Sequence, residues 1–163
     1  MADHAEQLEK EHMKHRLFKV AALCVILFVF ISVWSRGTQK RFASLTITTR
    51  GEQSQPISLR VELAQTSQEI EQGLSNRDTR GSDGMLFILP QEMKPAFWMK
   101  DMRFPLDFIW IRNGSIVDLT RNVPISPPLA THTPNSSVTH VLEIPAGFID
   151  QHNIHLGDSV EWK

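Results

Sequence analysis

Three acidic residues stand in or beside apolar segments, where a charge needs a partner. Asp107 and Glu143 each interrupt an apolar run, and Asp158 follows a glycine near the C terminus. If two of these carboxylates share a cleft, the pKa of one rises and the pair can act as general acid and base, as in glycoside hydrolysis. The same acids can instead be structural, turned to solvent or neutralised by Arg77 and Arg103. A hydrolase using a pair among Asp107, Glu143 and Asp158 is therefore one hypothesis.

An aromatic and charged segment, FWMKDMR at residues 97–103, suggests a binding surface instead. On a strand, Trp98 and Lys100 share one face and Asp101 lies on the other. An exposed indole offers a stacking face, and charges orient a polar small molecule, glycan or peptide. The bland alternative is that Trp98 fills the core and Lys100 and Asp101 form a solvated pair. We expect Trp98, Asp107 and Glu143 to line one shallow cleft. The predicted ligand-binding residues are Trp98, Lys100, Asp101, Asp107 and Glu143.

Sulfur and imidazole side chains allow a third hypothesis, a copper-binding accessory protein. Four methionines lie near Trp98 in the sequence, and four histidines lie in the C-terminal third. Thioether and imidazole ligands suit Cu(I), but methionine is also common core filler, and no spacing here matches a metal motif. We therefore assign no metal and no cofactor. The side chains in question are Met85, Met93, Met99, Met102, His132, His140, His152 and His155.

Charge and motif content exclude several classes of protein. Residues 1–41 carry seven basic and four acidic residues, whereas residues 42–163 carry ten basic and fourteen acidic residues, a net charge of −4. A mildly acidic domain lacks the basic surface that nucleic acid requires, so we expect no nucleic-acid partner. The sequence has no glycine-rich phosphate loop and no nucleophile elbow. Cys24 is the single cysteine, which rules out a disulfide within the chain.

Six short motifs stand in order from about residue 57 to the C terminus: GLSNR at 73–77, GMLF at 84–87, FWMKD at 97–101, PLD at 105–107, VLEIPAG at 141–147 and LGD at 156–158. Together they resemble the family called domain of unknown function 192 (DUF192). Ser75 stands where the family usually has Met, and Asp101 stands where it usually has Asn. The resemblance implies a compact, mainly β fold that is often exported, and it implies no established activity.

Short strands must position these residues. A capping box from Thr66 to Glu69 predicts a two-turn helix that ends near Gly73, and a second short helix fits residues 148–153. Asn113 and Gly114 form a strong hairpin signal. We expect a β-rich α+β domain, either a small antiparallel β-sandwich or a partly closed barrel, with one or two short helices. Alternating or apolar runs predict strands at residues 45–49, 57–63, 85–89, 97–100, 106–112, 115–120, 139–144 and 159–162.

The N-terminal region predicts a membrane anchor. Residues 17–35 form an apolar run in which only Lys19 is charged, close to the length that a bilayer requires. The run lacks a good cleavage site, so we expect it to remain in the bilayer as a single transmembrane helix. The flanking positive charges tie, and we favour export of the C-terminal domain to the periplasmic or extracellular side. The predicted organisation is a cytoplasmic tail at 1–16, a transmembrane helix at 17–35, a linker at 36–44 and a β domain at 45–163.

Taken together, these features favour a membrane-anchored, exported binding or accessory domain over an enzyme. The hydrolase and the copper-binding protein remain the alternatives.

Overall fold

The computed structural model describes residue 19 and residues 39–51, 55–128 and 130–163. The predicted cytoplasmic tail at 1–16 and transmembrane helix at 17–35 lie outside the described residues, apart from Lys19. In the part of the chain that the structure describes, no helix has the length and apolar character needed to cross a membrane. Residues 40–163 form one compact unit.

The described residues form a mainly β domain with two short helices, as the sequence predicts. Seven of the strands close into a barrel in the order β1-β2-β3-β8-β5-β6-β9, and β4 pairs with β7. A closed barrel replaces both the sandwich and the partly closed barrel expected from the sequence. The elements are β1 (Arg41–Thr48), β2 (Ile57–Ala64), α1 (Ser67–Gln72), β3 (Gly84–Met93), β4 (Phe97–Trp98), β5 (Leu106–Arg112), β6 (Ser115–Val123), β7 (Thr131–His132), β8 (Val138–Pro145), α2 (Phe148–Gln151) and β9 (Ser159–Trp162).

One strand pair departs from the expected antiparallel arrangement. β2 and β3 run parallel, with Ala64 opposite Phe87 at the end of their ladder. Parallel neighbours need a crossover connection, and α1 lies in that connection. Its predicted capping box is present, because the Thr66 side chain accepts from the Glu69 backbone N–H and the Glu69 side chain accepts from the Thr66 N–H. The helix therefore begins at the position that the sequence indicates.

The barrel interior is filled by aliphatic side chains. Successive residues of a strand point to opposite faces, so every second residue of each strand enters the barrel. These inward residues are mostly leucine, isoleucine and valine, and they make one continuous core. Its fully buried members include Leu45, Ile47, Val61, Leu86, Ile109, Ile111, Leu142, Ile144 and Ile149.

A second core lies on the outer face of the barrel and is aromatic. The Phe97 ring packs edge-on against Phe87, Phe108 and Trp110, with ring centroids 5.0, 5.9 and 5.6 Å apart. Such edge-to-face pairs stabilise beyond their buried area by about 0.5–1.5 kcal/mol each. Residues of α1 and of the segment 94–105 pack over this cluster. The outer face of the sheet is therefore covered by chain that is not itself part of the barrel.

Several boundaries differ from the sequence-based expectation, and one strand is additional. β1 begins at Arg41, inside the segment assigned to a linker, because residues 41–44 pair with β2 from Leu63 to Arg60. β3 continues through Pro90 to Met93, beyond the strand predicted at 85–89. Proline is tolerated there because β2 ends opposite Phe87, so no β2 partner requires an N–H from residue 90. The additional strand is β7, in a segment where the sequence predicts none.

Candidate functional site

A cavity of about 520 Å³ opens where β2 and β3 cease to pair. β2 stops at Ala64 and the chain turns into α1, whereas β3 runs on to Met93. The space between α1, the far half of β3 and β4 is left unfilled. The residues that line it are Ser67, Ile70, Glu71, Gln72, Gly73, Leu74, Ser75, Phe87, Leu89, Pro90, Met93, Pro95, Ala96, Phe97, Trp98, Met102 and Glu143.

Glu143 is the buried acid of this cavity. Its register opposite Met85 and Phe108 places it on the outer face of the barrel, and it is only 6% exposed. Among the described residues its Oε2 atom has no hydrogen-bond partner. Burial raises the pKa of Glu143 to about 8, although the charge of Arg77 acts in the opposite direction. Glu143 is therefore mainly protonated at neutral pH.

Arg77, the cation whose charge acts on Glu143, forms an ion pair with a different acid, Glu62. Arg77 donates to both carboxylate oxygens of Glu62, at 2.6 and 2.9 Å, and Lys40 lies 3.3 Å from the same group. Burial acts to raise the pKa of Glu62, but Arg77 and Lys40 outweigh it and hold the pKa below its usual value. Glu62 thus holds Arg77 as its counter-ion, and Glu143 has no ion pair of its own within the described structure.

A glycine fixes how closely β3 approaches Glu143. A Cβ atom placed at Gly84 would lie 2.4 Å from the Glu143 carbonyl oxygen, so only glycine allows this approach of the two strands. Gly84 opens the GMLF motif and Glu143 stands in the VLEIPAG motif. The requirement for glycine at residue 84 therefore bears directly on the position of the buried acid.

Trp98 stands at the mouth of the cavity and is 57% exposed. Its neighbour Phe97 is buried, so the alternation of β4 turns the indole outward while the phenyl ring enters the aromatic core. Lys100 Nζ lies 5.3 Å from the centroid of the indole ring, within the range of a cation–π contact. The strand predicted at 97–100 ends at Trp98, so Lys100 reaches the ring from a turn and not from the same strand. The alternative expectation, that Trp98 fills the core, is wrong.

Trp98 also borders a smaller cavity of about 250 Å³, to which Lys100 and Asp101 contribute. Asp101 has a φ of 58°, in the left-handed region where asparagine is several-fold enriched. This backbone conformation accounts for the asparagine that the family usually has there. The Asn76 N–H donates to the Asp101 carbonyl at 2.8 Å, and Ser75 Oγ donates to the Lys100 carbonyl at 3.1 Å. The GLSNR and FWMKD motifs are thus joined by direct hydrogen bonds.

Asp107 is placed elsewhere. It pairs with Ile144 in the ladder, so its side chain is on the inner face of the barrel, opposite to that of Glu143. It is fully buried, and its two oxygens accept from the backbone N–H groups of Asn122 at 2.7 Å and Ile149 at 3.0 Å. The predicted common cleft therefore contains Trp98 and Glu143 but not Asp107.

Asp158 is likewise fixed by backbone donors. It is 1% exposed and accepts from the N–H groups of Arg50 at 3.0 Å and His155 at 2.8 Å. Asp107 joins β6 and α2 to β5, Asp158 holds the segments around Arg50 and His155, and neither acid lines the cavity beside Glu143. The arginines proposed as their structural partners also have other roles: Arg77 pairs with Glu62, and Arg103 contacts Asp78.

The sulfur and imidazole groups are divided between several environments. Met85 and Met99 are buried in the aromatic core, while Met93 and Met102 line the cavity. His140 packs on Trp162, with ring centroids 4.3 Å apart, and His152 packs on Phe148 at 4.0 Å. The described residues contain no group of three or more His, Cys, Asp or Glu side chains that could hold a metal ion. The copper hypothesis gains no site from this arrangement.

Sequence reasoning did not identify α1 and the end of β3 as walls of the site. Ile70 and Glu71 line the cavity, yet neither stands in a motif that suggested binding, and Met93 was considered only as a possible copper ligand. The only sequence signal was a strong helix cap immediately after a strand. That signal places the helix but gives no indication of what it faces.

A comparison with known protein families identifies the family of the β domain. The profile of DUF192, described as uncharacterised, matches residues 46–162. A "UPF0127 protein" of Thermococcus sibiricus is 29% identical over 82 residues, which make up 48% of this chain and 51% of that protein. The matched segment thus spans about half the length of that curated relative.

Two solved structures are also similar. One is described only as a candidate transcription regulator of Sinorhizobium meliloti; it has a TM-score of 0.68 and 29% identity over 77% of this chain and 97% of that one. The other is a protein of unknown function from Novosphingobium aromaticivorans, with a TM-score of 0.66 and 30% identity over 78% of this chain and 89% of that one.

Proposed function

The chain belongs to the uncharacterised family DUF192, and from that premise we propose that its β domain is a binding module that holds a small amphipathic ligand in the cavity beside Glu143. One observation carries the proposal: a buried carboxyl oxygen without a hydrogen-bond partner stands in the wall of a cavity of about 520 Å³. Leaving such a group unsatisfied costs about 1–3 kcal/mol, which a ligand would recover by supplying the partner.

The cavity has the properties of a small-molecule site. Its volume falls in the range of about 300–1,000 Å³ that is typical of ligand pockets. Its walls are largely apolar, with Phe87 and Phe97 at the side of the barrel and Met93 opposite α1. Trp98 supplies an exposed aromatic surface at the mouth. This combination favours a ligand with an apolar body and one polar group directed at Glu143.

The hydrolase alternative receives less support. Acid and base catalysis by a carboxylate pair requires two such groups around one substrate. Asp107 lies on the other face of the sheet from Glu143, and both of its oxygens accept backbone hydrogen bonds. Asp158 is held in the same manner by Arg50 and His155. Among the three candidate carboxylates, Glu143 alone borders the cavity.

A blocking substitution tests the binding function. Ala96 is exposed and lines the cavity, so Ala96→Trp would occupy part of its volume. Ala130 is also exposed but does not line the cavity, and Ala130→Trp is the matched control. The full chain, reconstituted in lipid nanodiscs, is screened by thermal shift against a panel of small amphipathic compounds. We expect compounds that stabilise the wild type and A130W but not A96W. A panel without such compounds, or one whose hits stabilise A96W equally, contradicts the proposal.

We further propose that residues 17–35 anchor the domain in a lipid bilayer and that the domain is exported. The support is the apolar run, its basic flanks and its poor cleavage site. A reporter that is active only outside the cytoplasm, fused after Lys163, is expected to be active in membrane fractions. An inactive reporter on a stable fusion would contradict export, and a mature N terminus near Arg36 would contradict retention of the anchor.

The description of the Sinorhizobium protein as a candidate transcription regulator raises the question of nucleic acid. In this chain, residues 42–163 carry ten basic and fourteen acidic residues. Binding to a phosphate backbone depends on a cluster of positive charge. The charge balance therefore favours a small-molecule ligand over a nucleic-acid partner.

A further inference from the structure

The ionisable side chains that line the large cavity are all carboxylic acids. Glu143 lies in its wall and Glu71 lies on α1, and no Lys, Arg or His is among the lining residues that the structure describes. Three aromatic side chains, Phe87, Phe97 and Trp98, line the same space. Given the binding function proposed above, on which this step rests, we infer that the ligand is an organic cation, an ammonium group carried on an apolar body.

Glu143 provides the counter-ion for such a group. Its unpartnered Oε2 atom can accept a hydrogen bond from the ammonium, which forms a charge-assisted pair in a buried setting. The aromatic walls add to the attraction, because the face of a phenyl or indole ring carries negative electrostatic potential and attracts cations. The apolar body then contacts the aliphatic and sulfur side chains, among them Ile70, Leu89 and Met93.

The nearby cations do not reverse this preference. Arg77 is held by both oxygens of Glu62 and does not line the cavity. Lys100 lies over Trp98 but borders the smaller cavity and not the larger one. An anionic ligand would meet two acids and no counter-ion in the walls. A neutral ligand would provide no positive charge to pair with Glu71 and Glu143.

Binding of the cation is coupled to release of a proton. Burial holds the pKa of free Glu143 at about 8, so the ammonium replaces a proton, which leaves the carboxyl oxygen for solvent. Below pH 8 the dissociation constant of a fully protonated ammonium is expected to fall by up to about tenfold for each unit of pH increase. The charged and titratable groups on the elements around Glu143 include Glu62 on β2, Arg77 after α1, Glu71 on α1 and His132 on β7.

Three matched probes test the inference: phenethylammonium, 2-phenylethanol and 3-phenylpropanoate. Each is titrated by calorimetry into the full chain in nanodiscs at pH 6, 7 and 8, in two buffers with different heats of ionisation. We expect phenethylammonium to bind at least about tenfold more tightly than the alcohol at pH 8, and the carboxylate to bind most weakly. At pH 6 the buffer comparison is expected to show release of about one proton per ammonium bound.

Two variants locate the effect. Glu143→Gln is close in shape to the protonated acid, so it should retain the alcohol and lose both the ammonium preference and the proton release. Glu161→Gln removes an exposed acid of β9 that does not line the cavity, and it should behave as wild type. If E143Q fails to fold, the order of the three probes and the proton count on the wild-type chain still decide the question.

The outcomes distinguish this inference from the binding function. Equal affinity for ammonium and alcohol, or tightest binding of the carboxylate, overturns the cation inference while leaving the cavity as a binding site. An ammonium preference that persists in E143Q also overturns it. If none of the probes binds, the cation inference fails, and the blocking experiment with A96W decides the binding function separately.

Discussion

Asp107 and Glu143 lie on adjacent antiparallel strands and are buried to almost the same extent, at 0% and 6% exposure. Their surroundings differ completely. Both oxygens of Asp107 accept backbone hydrogen bonds, from Asn122 and Ile149, so the group ties a strand and a helix to the barrel. Glu143 has an oxygen with no partner among the described residues and borders open space. Burial alone therefore does not make an acid a candidate site, and Glu143 is the candidate because it combines burial, an unpartnered oxygen and a neighbouring cavity.

The same contrast separates the two faces of the barrel. The inner face is an aliphatic core that fills a closed space. The outer face is an aromatic cluster covered by α1 and the segment 94–105, and this cover is incomplete. The inner face contributes packing alone, whereas the outer face combines packing with an accessible volume. Three predictions test this division.

The largest expected effect is on stability, from Asp107→Ala. The substitution leaves the N–H groups of Asn122 and Ile149 buried without an acceptor. Two hydrogen bonds to a charged group contribute about 1.5–3 kcal/mol each, so the free energy of unfolding should fall by about 3–6 kcal/mol. Chemical denaturation of the full chain measures this. Glu161→Ala, at an exposed carboxylate of β9, is the control, and equal losses in the two variants would remove the contrast between the acids.

The second prediction concerns pH. Burial raises the pKa of Glu143 from 4.5 to about 8, so the folded state binds its proton more tightly than the unfolded chain does. Stability from this group is present at low pH and is lost as pH rises from about 4.5 to about 8, by at most about 1.4 kcal/mol per unit. Burial lowers the pKa of His140 below 6.5, which acts in the opposite direction in the acid part of this range.

The variant Glu143→Gln separates the two groups. Since the amide does not titrate, the difference in unfolding free energy between wild type and E143Q should shift steadily in favour of the variant between pH 5 and pH 8. Denaturation at four pH values measures the difference. If the difference in unfolding free energy did not change with pH, the pKa of Glu143 would not be raised in the folded state.

The smallest expected effect on stability is from Trp98→Ala. Its indole is more than half exposed, so loss of the side chain should change the free energy of unfolding by less than about 0.5–1 kcal/mol. Trp110 is fully buried in the aromatic core, and Trp110→Ala should cost about 3–5 kcal/mol. If the two substitutions were equally destabilising, Trp98 would be a packing residue and the mouth of the cavity would lose its role in binding.

The sequence is sufficient to place most of the strands and the first helix, because each rests on local information. The hairpin strands predicted at 106–112 and 115–120, the capping box at Thr66 and the strand at 159–162 all follow from alternation or turn chemistry, although the second hairpin strand continues to Val123. The closure of the barrel and the parallel pair β2–β3 do not follow, because they depend on contacts between segments far apart in the chain. Local pattern carries no information on such pairings.

The site was accessible to sequence reasoning only in part. Trp98 and Glu143 were recognised as an unusual aromatic residue and an acid in an apolar strand, and the structure brings both to one cavity. Asp107 has the same sequence signature as Glu143, yet it points to the other face of the sheet. The two differ in strand register, which is fixed by pairing and by the close approach at Gly84. Only coordinates distinguish an acid whose oxygens both accept backbone hydrogen bonds, such as Asp107, from one with an unpartnered oxygen, such as Glu143.

The early end of β2 has a consequence for how such a protein can diversify. The barrel closes without α1 or the segment 94–105, and the aliphatic core contains no residue from either. Their exposed, cavity-lining residues, such as Glu71, Gln72 and Ala96, can therefore change and reshape the cavity without touching the aliphatic core, whereas Phe97 is held in the aromatic core. One barrel can in this way present cavities of different shape and ligand preference. For protein engineering, Glu71, Gln72 and Ala96 are the natural positions at which to build a library of new specificities.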